Sequence, residues 1–117
     1  MEAKELNYHD KLKKLMKEYV HGVYDVTEKF PRDEIFGTTS QLRRSALSVL
    51  LNYVEGFARN SKATRDHFYK ISYGSLKESL ILLEFTNERK YLEDKDFKLL
   101  YKTGDEIAKM LWPLLSS

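Results

Sequence analysis

Two helical periodicities separated by a break of only two residues constrain this chain more than any other feature. Apolar residues recur at steps of three and four from Thr38 to Arg59 and again from Lys62 to Lys90, with Asn60-Ser61 between them. Helices joined by so short a turn must fold back on one another, so the middle of the chain is an antiparallel helical hairpin. Ser61 is placed to cap the later helix by accepting a backbone N–H. At the other end Gly37 supplies a bend, and Thr38 and Gln41 have the T-x-x-Q spacing of a capping box.

Both helices of the hairpin carry two lines of residues. On the earlier one, Leu42, Ala46, Val49, Tyr53 and Gly56 form one stripe, and Leu47, Leu51, Val54 and Ala58 a second, about 140° around the axis. A helix apolar over so wide an arc either lies at the centre of its own bundle or is also buried against another chain. In the second case one of the two stripes is an oligomer interface, for which Leu47, Leu51, Val54 and Ala58 are the candidate residues, although periodicity alone does not choose between the stripes. Gly56 costs about 1 kcal/mol relative to alanine inside a helix, which points to a close approach by another segment. On the later helix, Tyr69, Tyr73, Leu76, Leu80 and Leu83 make a bulky seam. Beside it Phe68, Ser72, Ser75, Ser79, Leu82 and Thr86 make a line rich in small residues, which suits either tight helix contact or a half-exposed face.

The flanking segments read as two more helices. Tyr8, Leu12, Leu15, Tyr19, Val23 and Val26 lay an apolar stripe along the first, with Lys11, Lys13, Lys14 and Lys17 mostly on its solvated side. It should stop before Phe30-Pro31, because proline disfavours helical geometry in the preceding residue. Near the end of the chain Phe97, Leu100, Gly104, Ile107, Leu111 and Leu114 step 3, 4, 3, 4, 3, and Glu93, Asp94 and Asp96 sit where a helix dipole favours acids. Trp112-Pro113 either frays or docks an edge. The expected fold is all-α, an antiparallel up-down-up-down four-helix bundle. It is one domain over 1–117, with helices at about 7–29, 38–59, 62–90 and 94–115.

The formal charge of +2 conceals a division along the chain. Residues 38–77 hold seven basic and two acidic residues, whereas both flanks are slightly acidic. The cations of the middle fall into two groups about 30 Å apart, Arg43 and Arg44 at the start of one helix and Arg59, Lys62 and Arg65 around the turn. Arginines bind phosphates bidentately, so these five residues are the candidate nucleic-acid contacts. A solvated face balanced by acids on other helices accounts for the same charges.

Enzymatic chemistry finds little support. The absence of cysteine removes thiol catalysis and zinc–thiolate sites and suits a reducing compartment. Neither a signal peptide nor a membrane span is readable, so a cytoplasmic location is expected. Glu18-Tyr-Val-His21 has the Glu-x-x-His spacing of di-iron bundles, but a second such pair is missing, and no metal or cofactor is expected. There is no phosphate-cradling glycine loop. Arg59 and His67 have only a distant similarity to the Arg-x-x-x-x-His pairing of helical ribonucleases, since seven residues and a turn lie between them. Glu55 and Glu78 read as salt-bridging partners of Arg59 or Lys62 rather than as a catalytic pair.

The run FPRDEIFGTTSQLRRSALSVLLNYVEGFARNSK, followed by GSLKESLILLE, resembles the 23S ribosomal-RNA intervening-sequence proteins from about Tyr8 to Leu115. The carrying residues are Phe30-Pro31, Gly37, Thr39-Ser40-Gln41, Arg43-Arg44, Asn52, Glu55-Gly56-Phe57, Arg59, Ser61 and Gly74-Ser75-Leu76. The resemblance implies a non-catalytic four-helix bundle that assembles as a homopentamer. That family is similar in turn to the accessory variability protein of diversity-generating retroelements, which implies nucleic acid and a reverse transcriptase as possible partners. This chain departs from the family pattern in lacking a proline near Leu50 and acids near Thr64 and Leu80, which leaves its middle more basic. Two functions fit these observations. One is a homo-oligomeric bundle that binds RNA or DNA through Arg43, Arg44, Arg59, Lys62 and Arg65; the other is a protein-interaction adaptor whose basic residues only keep it soluble.

Overall fold

Short connections decide the topology. The computed structural model describes residues 1–115, and its helices are α1 (Ala3–Thr27), α2 (Thr38–Phe57), α3 (Lys62–Glu88) and α4 (Asp94–Leu111). Arg32–Glu34 and Trp112–Leu114 form 3-10 turns. Each helix packs against its two neighbours in the order α1, α2, α3, α4 and back to α1, with α2 and α3 in the most extensive contact. The result is an up-down-up-down bundle about 45 Å long and 24 by 21 Å across. At one end Phe30 is buried and its ring lies 5.6 Å from that of Tyr91, which ties the α1–α2 connection to the α3–α4 connection.

The helix limits differ from the sequence reading for local reasons. α1 begins at Ala3 rather than Asn7, and the Tyr8 hydroxyl fastens its first turns to α4 by donating to the Met110 carbonyl at 2.6 Å. α4 ends at Leu111, because Pro113 has no N–H to continue the helix and the chain tightens into the 3-10 turn. The capping box at Thr38 does not form. Gly37 occupies the N-cap position without a side-chain cap, and Thr38, one residue inside the helix, donates its hydroxyl to Glu34 at 2.8 Å. Ser61 does cap α3, accepting from the Thr64 amide at 3.4 Å. α3 closes through bonds from the Lys90 amide to Asn87 O and from the Tyr91 amide to Thr86 O, with Lys90 in the left-handed region at φ 62°.

The core is the set of inward stripes. Leu12, Met16, Tyr19 and Val23 of α1 meet Leu42, Ala46, Val49 and Tyr53 of α2, Leu76 and Leu83 of α3, and Ile107 and Leu111 of α4. Of the two readings for the small-residue line on α3, tight contact is the one realised, since Ser72, Ser79 and Thr86 are fully buried. Ser72 donates to the Val49 carbonyl at 2.6 Å, and Ser75 shares a 2.8 Å bond with Ser48. Tyr19 and Ser79 share another across the middle of the bundle at 2.7 Å. Among the described residues no buried polar side-chain atom lacks a partner, so the seam brings α2 and α3 close without leaving polar groups stranded.

Gly56 lies in this contact. A Cβ there would sit 2.7 Å from the Tyr69 ring and 3.1 Å from the Arg65 carbonyl, whereas one at Gly74 would meet nothing within 4 Å. Gly56→Ala should therefore lower unfolding free energy by about 1–2 kcal/mol in urea titrations, overpacking outweighing the propensity gain. Gly74→Ala should raise it by up to about 1 kcal/mol.

At the α1–α2 contact His9 Nδ1 faces the Tyr53 hydroxyl, with the Tyr53 and Phe57 rings against the imidazole. Burial pushes the Tyr53 phenol well above the ordinary tyrosine range, so it keeps its proton. Burial lowers the His9 pKa, while Glu5 and Asp10 partly oppose the shift. The unfolded chain then takes up the proton first, so this contribution to stability is present above pH 6.5 and is lost as pH falls from there through the lowered folded-state value. The thermal midpoint should drop between pH 7.5 and 5.5, and a His9→Gln variant should lack that component of the drop.

Candidate nucleic-acid interface

The buried stripe on α2 uses only part of its apolar arc. Leu47 is half-buried, and Leu51 and Val54 are 56% and 43% exposed on the outer surface, with Ala58 also exposed. The Ser48–Ser75 and Ser72–Val49 bonds set the register of the hairpin, which places Leu51 level with Ile71 of α3, another exposed aliphatic residue. Farther along α3, Ile81 and Phe85 are exposed as well. The proposed interface residues thus form one line on the outside of the bundle, and the proposed cations stand at its two ends.

Those cations have unlike surroundings. Arg43 is half-buried, donates from Nε to Thr27 Oγ1 at 2.7 Å, and lies 4.8 Å from the Tyr24 ring centroid. Thr27 in turn donates to Val23 O and Tyr24 O in the last turn of α1. α1 has no basic residue of its own in that turn, so Arg43 supplies from α2 the cation that the negative helix end favours. Arg44 is exposed and makes no hydrogen bond or ion pair among the described residues. It sits on the outer side of α2, one turn before Leu47 and Ser48.

Around the α2–α3 turn the basic residues converge. Arg59 pairs with Glu55 and lies 5.2 Å from the Phe68 ring centroid. Arg65 donates to the Arg59 carbonyl at 3.3 Å, and exposed Lys62 opens α3, whose first turn contains no acid. Three cations and the positive end of a helix therefore occupy one corner of the molecule. The Glu55–Arg59 pair is exposed on both sides, so it contributes little to stability.

Of the residues weighed for catalysis, Arg59 and His67 both lie against the Phe68 ring. Glu55 pairs with Arg59 as expected of a salt bridge, and His67 packs edge-on against Phe68. Among the described residues there is no group of three or more His, Asp or Glu side chains that could hold a metal ion. No described helix is long and apolar enough to cross a membrane. Sequence reasoning missed the contacts of Arg43 with Tyr24 and Thr27, which no spacing within α1 or α2 reveals. Trp112, which was open to two readings, docks: its ring lies 5.4 Å from that of Tyr73.

These features define the chain as an antiparallel four-helix bundle with an outward-facing apolar line on its central hairpin and basic residues at either end. More particularly, it belongs to the 23S rRNA-intervening sequence protein family, whose model matches residues 8–112. The fold is similar to the crystal structure of a protein of unknown function from the S23 ribosomal protein family of Bacteroides thetaiotaomicron. The two share a TM-score of 0.83 at 19% identity, over 91% of this chain and 99% of that one. No curated protein matches the sequence.

The two adjacent arginines should separate in mutagenesis. Arg43→Ala should cost about 1–2 kcal/mol in urea unfolding, because a half-buried charged hydrogen bond to α1 is lost. Arg44→Ala should stay within about 0.5 kcal/mol of the parent.

Proposed function

We propose that the protein is a non-enzymatic assembly module. Copies associate through Leu47, Leu51, Val54 and Ala58, and the assembly presents Arg44, Arg59, Lys62 and Arg65 to the backbone of RNA or DNA. The observation that carries this reading is the exposure of Leu51 and Val54 on a helix whose opposite side is fully buried, with unpartnered Arg44 on the same outer surface. Uncharged aliphatic lines of this kind are characteristic of surfaces covered by another chain. One copy keeps its two basic clusters about 30 Å apart, the length of α2. Repetition around a symmetric assembly turns two small clusters into an extended electropositive edge. The family resemblance supports a copy number of five, and the cysteine-free composition suits a cytoplasmic location. Arg43 contributes mainly by fastening α2 to α1.

The internal engagement of Arg43 and Arg59 favours a second reading, a protein adaptor that assembles in the same way and binds no nucleic acid. Salt dependence discriminates between them. Nucleic-acid binding through several phosphate contacts requires log affinity to fall steeply with log salt, and Arg44→Glu should weaken it without altering the far-ultraviolet spectrum. An intact oligomer with no salt-dependent affinity for structured RNA or DNA supports the adaptor. Sedimentation equilibrium at micromolar concentration should give a multiple of 13.8 kDa, and a Leu51→Glu, Val54→Glu double variant should sediment as the helical monomer. A parent protein found only at 13.8 kDa overturns assembly.

A further inference from the structure

On the side of α3 away from α2, a groove of about 420 Å³ runs between α3 and α4, lined by Tyr73, Lys77, Asp105, Ala108, Lys109 and Trp112. Its floor is aromatic. The Trp112 and Tyr73 rings lie 5.4 Å apart at 49°, and Trp112 is 60% exposed although it is the largest apolar side chain in the protein. Leu111 directly before it is buried, and Pro113 follows it in the 3-10 turn. Lys77 Nζ stands 5.4 Å from the Tyr73 ring centroid. Lys109 pairs with Asp105 at 3.1 Å, both side chains being more than half exposed, so that pair yields easily to a competing anion.

An exposed indole beside a second ring, with an ammonium group from each of two helices, matches the chemistry of a nucleotide. A base offers a flat π-face for the indole, and its phosphates offer anions to the two lysines. We infer that this groove takes an unpaired base of a single-stranded nucleic acid, stacked on Trp112, with the adjoining phosphates contacted by Lys77 and Lys109. Bases within a duplex have both faces covered by their neighbours, so the groove selects for single strands. The inference rests on the nucleic-acid reading of the preceding section but uses different residues. The arginine clusters bind backbone of either kind, whereas the groove requires an open base.

Trp112 is the sole tryptophan, so its emission reports this groove alone. Titration of the full chain with an unlabelled 12-nucleotide single-stranded oligoadenylate should quench that emission saturably. A blunt 12-base-pair duplex and inorganic phosphate should leave it unchanged. By fluorescence anisotropy of a labelled strand, Trp112→Ala should weaken single-strand binding about tenfold, within the range for loss of one stacked base, and Trp112→Phe should restore most of it. Lys77→Gln should weaken single-strand binding about threefold while leaving duplex affinity unchanged. Single-strand binding that neither quenches Trp112 nor responds to Trp112→Ala or Lys77→Gln overturns the groove and leaves the nucleic-acid reading standing. Equal quenching by duplex and single strand also overturns it. Absence of binding to both kinds of strand removes the groove and the nucleic-acid reading together.

Discussion

The approach of α2 to α3 is the constraint on which the rest of this bundle depends. Ser45, Ser48, Ser72 and Ser75 are small enough to let the two backbones come close, and their hydroxyls find partners within or across the contact. Gly56 extends the same approach beneath the Tyr69 ring. A contact made of serines satisfies hydrogen bonds and fixes register, but it buries little aliphatic surface. The aliphatic side chains of α2 are consequently divided, with one stripe filling the shared core and the other turned outward. The exposed line of Leu51 and Val54 is thus a product of how the hairpin packs.

The same packing sorts the charges. α1 lacks a basic residue in its last turn and α2 lacks an acidic one in its first. Both deficits are met from neighbouring segments, by Arg43 across the α1–α2 contact and by Glu34 from the preceding 3-10 turn. Arg43 and Arg44 are adjacent in sequence yet separated by about 100° around the helix, so one faces α1 and the other faces solvent. The cations at the far turn instead gather around the start of α3, where the helix end adds to their field. Basic residues that look equivalent in a charge count divide into one internal strut and a set of surface groups.

Much of the architecture was legible without coordinates because its signals are local. The two-residue turn, the Ser61 cap, the stop before Pro31 and the heptad of α4 each depend on neighbours a few positions away. The buried set on α2, Leu42 through Gly56, was readable as a stripe. What periodicity could not say is that this stripe and not the one through Leu51 faces inward, since both satisfy a helical repeat equally well. The Thr38–Gln41 spacing misled for a similar reason. A capping box requires Thr38 to lie just outside the helix, and the bend at Gly37 together with the bond to Glu34 draws it inside instead.

The sequence by itself determined that this protein is four helices, where they turn, and which residues are available to be core. Only the tertiary structure decided which of two apolar lines on α2 remains outside, that Arg43 serves α1, and that Trp112 docks beside Tyr73 over a groove between lysines. The division has one physical cause. Helix formation and termination are settled by side chains within a turn or two of each other. Rotation of one helix against another is settled by the packing of all four at once, and every cross-helix pairing of charges and rings inherits that rotation.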